Sequence, residues 1–337
     1  MKKPAYALAS LIALAALAGS ARAQSVEDFY RGKQIRVIVG SLAGDYDTWA
    51  RLVTRYMRRY IPGNPNFVIE NMPGAGSLIA ANYLYNKAPQ DGTALGSVSR
   101  NIPNYAFTKH PNVYFDPLKF NWIGSPEMTS RGCFANSDSG VLVAQDLFSH
   151  ELLVGTDGAG TALSETPVLL KNLLGMKFRT VDGYKSSTDV VLAMQRKEVG
   201  GICQTVTAFA QTAQNLLDEG VVRLLFTTER QRVARLNVPT VFEFAATEEQ
   251  RQILEFQASS LETGRPILAP PGVPPDRVNA LRRAFDATMK DAAFLADAKQ
   301  RRLEVDPRTG EQIEAVVKSV ASLPPEIIAK AGEMTRR

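Results

Sequence analysis

Three glycine-rich turns are the parts of this sequence best suited to binding a ligand. They span residues 41–47, 73–77 and 157–164, and each joins a strand-like run to a helix-like run. The first turn of a helix carries unpaired N–H groups and the positive end of the helix dipole, so an anion binds there readily. Glycine allows close backbone approach. One such turn is explained by folding alone, but three at predicted strand ends indicate an anion site.

Two basic residues lie beside these turns. Arg100, in the segment SVSRNIPN, follows a predicted strand, and its guanidinium could bind a carboxylate through two hydrogen bonds. A solvated loop arginine is an equally good interpretation. Lys185 precedes a predicted helix that Ser187 or Thr188 could cap. For this lysine, a surface position is slightly favoured over ligand contact.

Residues for catalysis are scarce. The two histidines, His110 and His150, both lie in loop-like contexts, and the chain has no Gly-x-Ser-x-Gly or Walker motif. The segment GTDGAG resembles part of a dinucleotide fingerprint, but Leu163 stands where the third glycine belongs. Asp45 and Asp47 could act as acid and base, although helix capping is the preferred interpretation. We expect a protein that is not an enzyme, with no cofactor and no metal.

The N-terminus has the pattern of a secretory signal peptide. Lys2 and Lys3 precede an apolar run over residues 7–18, and Ala21-Arg22-Ala23 is a small-x-small cleavage site. The run is too short to cross a bilayer, which takes about 20 residues. We therefore expect residues 1–23 to be removed and the mature protein to be soluble in the periplasm.

Length and charge limit the possible classes of protein. Removing 23 of the 337 residues leaves 314, a usual size for two domains. The formal charge falls from +5 to +2, because three basic residues and no acid leave with the signal. That charge is too small for a nucleic-acid surface, so no nucleic-acid partner is expected.

Cys133 and Cys203 lie in apolar, strand-like segments. A disulfide and two separate buried thiols are about equally plausible, and their spacing does not suggest a metal site.

Strand and helix patterns alternate along the chain, which predicts α/β domains with mainly parallel sheets flanked by helices. A helix closed by Gly175 follows the third glycine-rich turn, and a long amphipathic helix near the C-terminus has an apolar stripe from Val278 to Met289. The chain is predicted to cross between two α/β halves near residues 124–127 and to return near 259–267. A ligand would bind in the cleft between the halves.

Several motifs, taken in order, resemble the TctC or Bug family, the periplasmic solute receptors of tripartite tricarboxylate transporters. The most specific are Asp47-Thr48-Trp49-Ala50-Arg51, the Pro-Gly-Ala-Gly loop at 73–76, the Ala-Pro-x-Asp-Gly turn at 88–92, and Gly183-Tyr184-Lys185. The resemblance covers essentially the whole mature chain. It implies a two-lobed, Venus-flytrap receptor that closes on a small carboxylate and delivers it to the membrane permease subunits of such a transporter. We expect a monomer with one lobe at 24–125 plus 262–337 and the other at 126–261.

The resemblance also implies where the ligand binds. In the family, the first two glycine-rich loops hold one carboxylate, largely through backbone amides and ordered waters, and the second lobe contributes the loop at 158–164 and the turn at 184–186. Together with the Arg100 segment, the expected ligand-binding residues are Ser41, Ala43, Gly44, Asp45, Tyr46, Asp47, Gly74, Ala75, Gly76, Ser77, Ser99, Arg100, Asn101, Gly158, Gly160, Thr161, Ser164, Lys185 and Ser186.

The first loop departs from the family pattern, which is usually richer in glycine before the aspartate. Here Asp45 and Tyr46 occupy that position. A carboxylate near a carboxylate ligand costs free energy unless it points to solvent, caps the helix or meets a cation. If Arg100 faces the cleft, it would suit the far carboxylate of a dicarboxylate, which is our hypothesis for the ligand. A periplasmic enzyme with Asp45 or Asp47 as general base, and a ligand-dependent partner of a sensor kinase, are the alternatives.

Overall fold

The computed structural model describes residues 25–42, 44–158 and 161–335 of the protein. The predicted signal peptide lies outside these residues. Within the described part of the chain, no helix is both long and apolar enough to cross a membrane. Two separate sheets, each covered by helices on both faces, confirm the two-lobed α/β fold.

Six strands form the sheet of the first lobe, in the order β11-β4-β10-β3-β1-β2. Strand β1 is parallel to β2 and β3, whereas β10 is antiparallel to β3 and β4, and β11 is antiparallel to β4. The sheet is therefore mixed on one side and parallel on the other. The strands are β1 Gln34–Val39, β2 Asn66–Asn71, β3 Ala94–Ser97, β4 Asn121–Ser125, β10 Ile267–Ala269 and β11 Arg308–Thr309.

Five strands form the second sheet, in the order β7-β6-β8-β5-β9. Strand β6 is parallel to β7 and β8, and β5 runs antiparallel to both of its neighbours. These strands are β5 Arg131–Asn136, β6 Leu152–Gly155, β7 Phe178–Val181, β8 Gly201–Thr205 and β9 Val222–Thr227.

The helices follow the strands, as the alternating pattern predicts. They are α1 Val26–Tyr30, α2 Asp45–Met57, α3 Leu78–Asn86, α4 Ile102–Phe107, α5 Ala162–Leu174, α6 Ser187–Gln195, α7 Val206–Asp218, α8 Glu248–Thr263, α9 Pro275–Thr288, α10 Ala292–Gln300, α11 Gly310–Ala321 and α12 Pro325–Met334. Helices α1, α4, α7, α8, α11 and α12 were not predicted. Gly175 ends α5 in the left-handed conformation at φ 73°, as expected.

The prediction of one long helix in the segment that ends at Ala298 is wrong, because two helices occupy that segment. Helix α9 ends at Thr288, and the Asp291 carboxylate accepts hydrogen bonds from the N–H groups of Ala293 and Phe294. These bonds make Asp291 the N-cap of a new helix, α10. The apolar stripe continues across the break since Phe294 is buried in the same core as Met289.

Amphipathic patterning explains how α2 packs on the first sheet. Trp49, Val53 and Met57 recur at helical spacing and are buried against β1, while Arg51 and Arg55 point outward. The other face of this sheet is covered by α3, α4 and α11. Burial of both faces is typical of parallel sheets, whose strands are apolar along their whole length.

Two chain segments join the lobes directly. The first runs from the end of β4 at Ser125 to the start of β5 at Arg131, and the second runs from the end of α8 at Thr263 to β10 at Ile267. The last helix, α12, returns to the second lobe, where Ile327 is buried in the core of the second sheet.

Cys133 and Cys203 lie directly opposite each other on the neighbouring antiparallel strands β5 and β8. A disulfide joins the two residues, and both are fully buried. The bond ties the strand that follows the first crossing to the middle of the second sheet.

Candidate ligand-binding site

The ends of β1, β2 and β3 are joined by one buried hydroxyl group. Ser77 Oγ donates to the Gly40 carbonyl at 2.9 Å and accepts from the Ser99 N–H at 3.1 Å. Gly40 is required here, because a Cβ at that position would lie 2.4 Å from Ser77 Oγ. The two predicted glycine-rich loops of the first lobe and the Arg100 segment therefore meet at one edge of the sheet.

The Pro-Gly-Ala-Gly loop has an unusual backbone. Four consecutive residues have positive φ: 136° at Gly74, 46° at Ala75, 61° at Gly76 and 75° at Ser77. Two of them are not glycine, and such residues cost of order 1–3 kcal/mol each, which is why this conformation clusters at functional sites. The loop lies against Tyr105, whose hydroxyl would be 3.0 Å from a Cβ on Gly76.

Asp47 holds the first loop in place. Its carboxylate accepts from Arg51 Nε at 2.8 Å and from Asn71 Nδ2 at 2.9 Å, and the Asn71 amide also donates to the Ser41 carbonyl. The hydrogen bond from Arg51 is the largest influence lowering the pKa of Asp47. The capping interpretation is wrong for this residue, since the N-cap of α2 is Gly44 and no side chain caps it.

Asp45 and Tyr46, the residues of the first loop that differ from the family pattern, contact the second crossing. The Asp45 carboxylate pairs with Arg265 at 3.1 Å, and the Arg265 guanidinium lies 4.8 Å from the centre of the Tyr46 ring. The Tyr46 hydroxyl accepts a hydrogen bond from the Arg100 N–H at 3.1 Å. Asp45 therefore meets a cation, one of the three ways in which a carboxylate can be accommodated near an anion site.

A cavity of about 320 Å³ lies between the lobes, beside these loops. The first lobe contributes Arg100 and Asn101, next to the end of β3, and Tyr105 from α4. The second lobe contributes the start of α5, the first residue of β5, the loop after β9, and α8. The full lining is Arg100, Asn101, Tyr105, Arg131, Glu165, Thr166, Leu169, Leu170, Thr228, Val241, Leu254, Gln257, Ala258, Ser260 and Leu261.

Arg100 has an unsatisfied guanidinium at this cavity. Among the described residues, its side chain makes no hydrogen bond and no ion pair. Burial lowers the pKa of Arg100, and the nearby Arg265 adds to this effect. An arginine remains protonated at neutral pH, so a positive charge with unused donors lines the cavity.

Arg131 brings a second guanidinium from the other lobe. The residue is 9% exposed, and burial, with Arg100 as the next influence, lowers its pKa to about 10. The backbone N–H of Arg131 donates to Glu229 Oε1 at 3.1 Å, and the backbone carbonyl of Arg131 accepts from the Thr228 N–H at 2.9 Å. The two arginines destabilise each other's charged form, and an anion placed between them would relieve this.

Glu165 and a group of leucines complete the cavity. Burial raises the pKa of the Glu165 carboxyl, while Arg131 and Arg100 oppose that rise. Leu169 and Leu170 stand about one turn further along α5 and line the same cavity. The arrangement suits a ligand with anionic groups and an apolar body.

The remaining predicted residues of the second lobe mostly serve local structure. Thr161 and Ser164 form the cap of α5: the Thr161 N–H donates to Ser164 Oγ at 3.1 Å, and Thr161 Oγ1 donates to the Gly158 carbonyl. Ser186, not Ser187 or Thr188, caps α6, because its hydroxyl accepts from the Asp189 N–H. Lys185 is exposed. Ala43 and Gly160 lie outside the described residues.

Of the residues predicted from the sequence, Arg100 and Asn101 line the cavity, and most of the second lobe's contribution was not predicted. Arg131, Glu165 and Gln257 were not proposed. The available signal was the position of Arg131 directly after the predicted crossing, in the segment RGCFAN. Helix α8 gave no such signal since it was not predicted. In the described part of the chain, His, Cys, Asp and Glu side chains form no group of three or more suited to a metal ion.

Two α/β lobes joined by two crossings, with a charged cavity between them, define a solute-binding protein of the periplasmic type. A family model confirms this class: it matches residues 50–332 and is described as "Tripartite tricarboxylate transporter family receptor", TctC. The chain belongs to that family.

Individual relatives agree with this assignment. The chain is 28% identical over 275 residues to the "UPF0065 protein in gbd 5'region" of Cupriavidus necator, covering 79% of this chain and 78% of the relative. Its fold is similar to a TctC solute-binding protein from Polaromonas solved without ligand, with a TM-score of 0.71, 16% identity, and coverage of 89% and 99%. It is also similar to an R. palustris protein solved with adipate, with a TM-score of 0.57, 21% identity, and coverage of 89% and 97%.

Proposed function

We propose that this protein is a periplasmic receptor that captures a small dicarboxylate between its lobes and delivers it to the permease subunits of a tripartite tricarboxylate transporter. It acts as a monomer after removal of residues 1–23. The lobes divide at 125/126 and 261/262, with α12 packed against the second lobe. The observation that carries the proposal is the Arg100 guanidinium, which lines the inter-lobe cavity with no partner among the described residues.

The two guanidiniums can bind one carboxylate between them. Arg100 and Arg131 come from opposite lobes and line one cavity. Arginine binds a carboxylate through two parallel hydrogen bonds, which are stronger than neutral ones. A ligand that neutralises both arginines also links the lobes, so binding would stabilise the closed arrangement.

The loops of the first lobe are proposed to hold the near carboxylate. The described residues of these loops do not line the cavity themselves, but they contact residues that do: the Tyr46 hydroxyl accepts from the Arg100 N–H, and Gly76 lies against Tyr105. The arginines would hold the far carboxylate, and the leucines of α5 and α8 would contact the carbon chain between them. Adipate, the molecule named with the R. palustris neighbour, is an aliphatic dicarboxylate of this kind.

The surroundings of the aspartates support a receptor rather than an enzyme. Asp47 is bonded to Arg51 and Asn71, and Asp45 is paired with Arg265. A general base must be within reach of the proton that it removes. The Asp47 carboxylate is engaged by two side-chain donors and has a lowered pKa, so it is poorly suited to that role.

Calorimetric titration of the mature protein with mono-, di- and tricarboxylates tests the proposal. A dicarboxylate such as adipate should bind best, and Arg100→Gln should weaken binding roughly 10- to 100-fold, the range for a lost hydrogen bond to a charged group. Arg131→Gln should do the same. Arg251→Gln is the matched control, because Arg251 is an exposed arginine on α8. Unchanged affinity in both cavity variants, or no binding of any carboxylate by folded protein, would overturn the proposal.

A further inference from the structure

The crossings divide each sheet into two sides, which we call the front and the rear. In the first sheet, the crossings attach to β4 and β10, with β3, β1 and β2 on one side and β11 on the other. In the second sheet, the first crossing attaches to β5, with β8, β6 and β7 on one side and β9 on the other. The three glycine-rich loops follow β1, β2 and β6, which are front-side strands, whereas β9 and β11 lie on the other side of the crossings.

The lobes touch each other on this rear side. Arg235, in the loop after β9, pairs with Glu304, just before β11, at 2.7 Å. Gln211 Nε2 of α7 approaches the Arg302 carbonyl at 3.5 Å. Both contacts join the second lobe to the segment that leads into β11. The Arg235 and Glu304 side chains are 45% and 38% exposed. Water can therefore solvate both charges when the two side chains separate.

A second cavity, of about 380 Å³, is lined by Val233 and Asp306, which are each two residues away in sequence from a member of the ion pair. The same chain segments wall both cavities: Thr228 and Leu261 line the front cavity, whereas the following residues, Glu229 and Glu262, line the rear one. The first crossing also pairs with the segment before β11, because the Met128 N–H donates to the Asp306 carbonyl at 2.8 Å. A rotation about the crossings therefore changes both cavities in opposite directions.

We propose that the Arg235–Glu304 ion pair is a latch that holds the lobes apart at the front and so sets the affinity for ligand. Closing the front cleft about the crossings moves β9 away from β11, and the ion pair must separate. The pair thus stabilises the open form only. When only a fraction of the molecules is in the binding-competent state, the apparent affinity is the intrinsic affinity reduced by that fraction. Removing the latch should raise that fraction, and the affinity should become tighter.

The first test uses no ligand and so does not depend on the proposed function. The two native cysteines are bonded to each other, which leaves introduced cysteines free for spin labels. Ile79 on α3 and Leu192 on α6 are exposed and follow β2 and β7, the strands farthest from the crossings. With labels at I79C and L192C, Glu304→Gln should raise the ratio of short to long distances roughly two- to fivefold, the range for a partly exposed ion pair. An unchanged distance distribution in Glu304→Gln would overturn the latch.

The second test measures adipate binding and rests on the proposed function. Arg235→Gln and Glu304→Gln should each bind adipate more tightly by the same factor, and the exchanged pair, Arg235→Glu with Glu304→Arg, should restore the original affinity. Glu198→Gln is the control, because it breaks an exposed ion pair within the second lobe. Weaker binding in either latch variant would overturn the proposal. If adipate does not bind at all, the proposed ligand is wrong, and the spin-label result alone decides the latch.

Discussion

Loss of the disulfide between Cys133 and Cys203 should strongly destabilise the second lobe. The bond closes a chain segment with a sequence separation of 70 residues. A crosslink over a loop of this length removes enough entropy from the unfolded chain to stabilise the fold by about 4 kcal/mol at room temperature. A domain is stable by only about 5–15 kcal/mol in total, so the loss would lower the unfolding midpoint markedly.

The two single variants should behave like the double variant. Cys133→Ala alone already breaks the bond, so adding Cys203→Ala should cost little more, and the three unfolding free energies should nearly coincide. Guanidinium titrations followed by circular dichroism provide the measurement. Tryptophan fluorescence is an internal control, because Trp49 and Trp122 both pack in the first lobe; its transition should shift less.

Two outcomes would refute this reasoning. If the costs of the single variants simply add in the double variant, each sulfur contributes by packing, since independent sites are additive. If each single variant costs less than about 1 kcal/mol, the crosslink does not constrain the unfolded chain as the loop-entropy argument requires.

Three further predictions concern single side chains. Burial raises the pKa of Glu229, so the contribution of this residue to stability should be fully present below about pH 4.3, its usual pKa, and be lost as the pH rises through the folded-state pKa; in denaturant titrations across pH, Glu229→Gln should lack this loss. Gly40→Ala should cost about 1–3 kcal/mol in the unfolding free energy, because its methyl group would meet Ser77 Oγ, and an unchanged melting temperature would contradict this. Asp47→Ala should cost about 2 kcal/mol by removing two hydrogen bonds to a charged group, and Asn71→Ala, which removes one of them, should cost less in the same assay.

Local patterns were enough to predict most of the architecture. Apolar runs such as QIRVIVG, the helical spacing of Trp49 and Val53, and Gly175 at a helix end each act through neighbouring residues only. The glycine-rich loops were likewise visible, because positive φ angles and close backbone approach restrict which residues can stand there. Periodicity failed where one capping side chain changed the result: the apolar stripe continues past Asp291, but this residue caps a second helix where one long helix was predicted.

The cavity depended on contacts between distant parts of the chain. Arg100 and Arg131 line one cavity because the chain crosses from β4 to β5, and α8 lines the same cavity; no local pattern carries that information. The Arg265 guanidinium that neutralises Asp45 is 220 residues away in sequence, so the composition of the first loop alone could not show how its extra carboxylate is accommodated. The sequence by itself determined the elements and an anion-binding edge. Only the tertiary structure decided which charges share the cavity, because electrostatic interactions depend on distance and burial rather than on order along the chain.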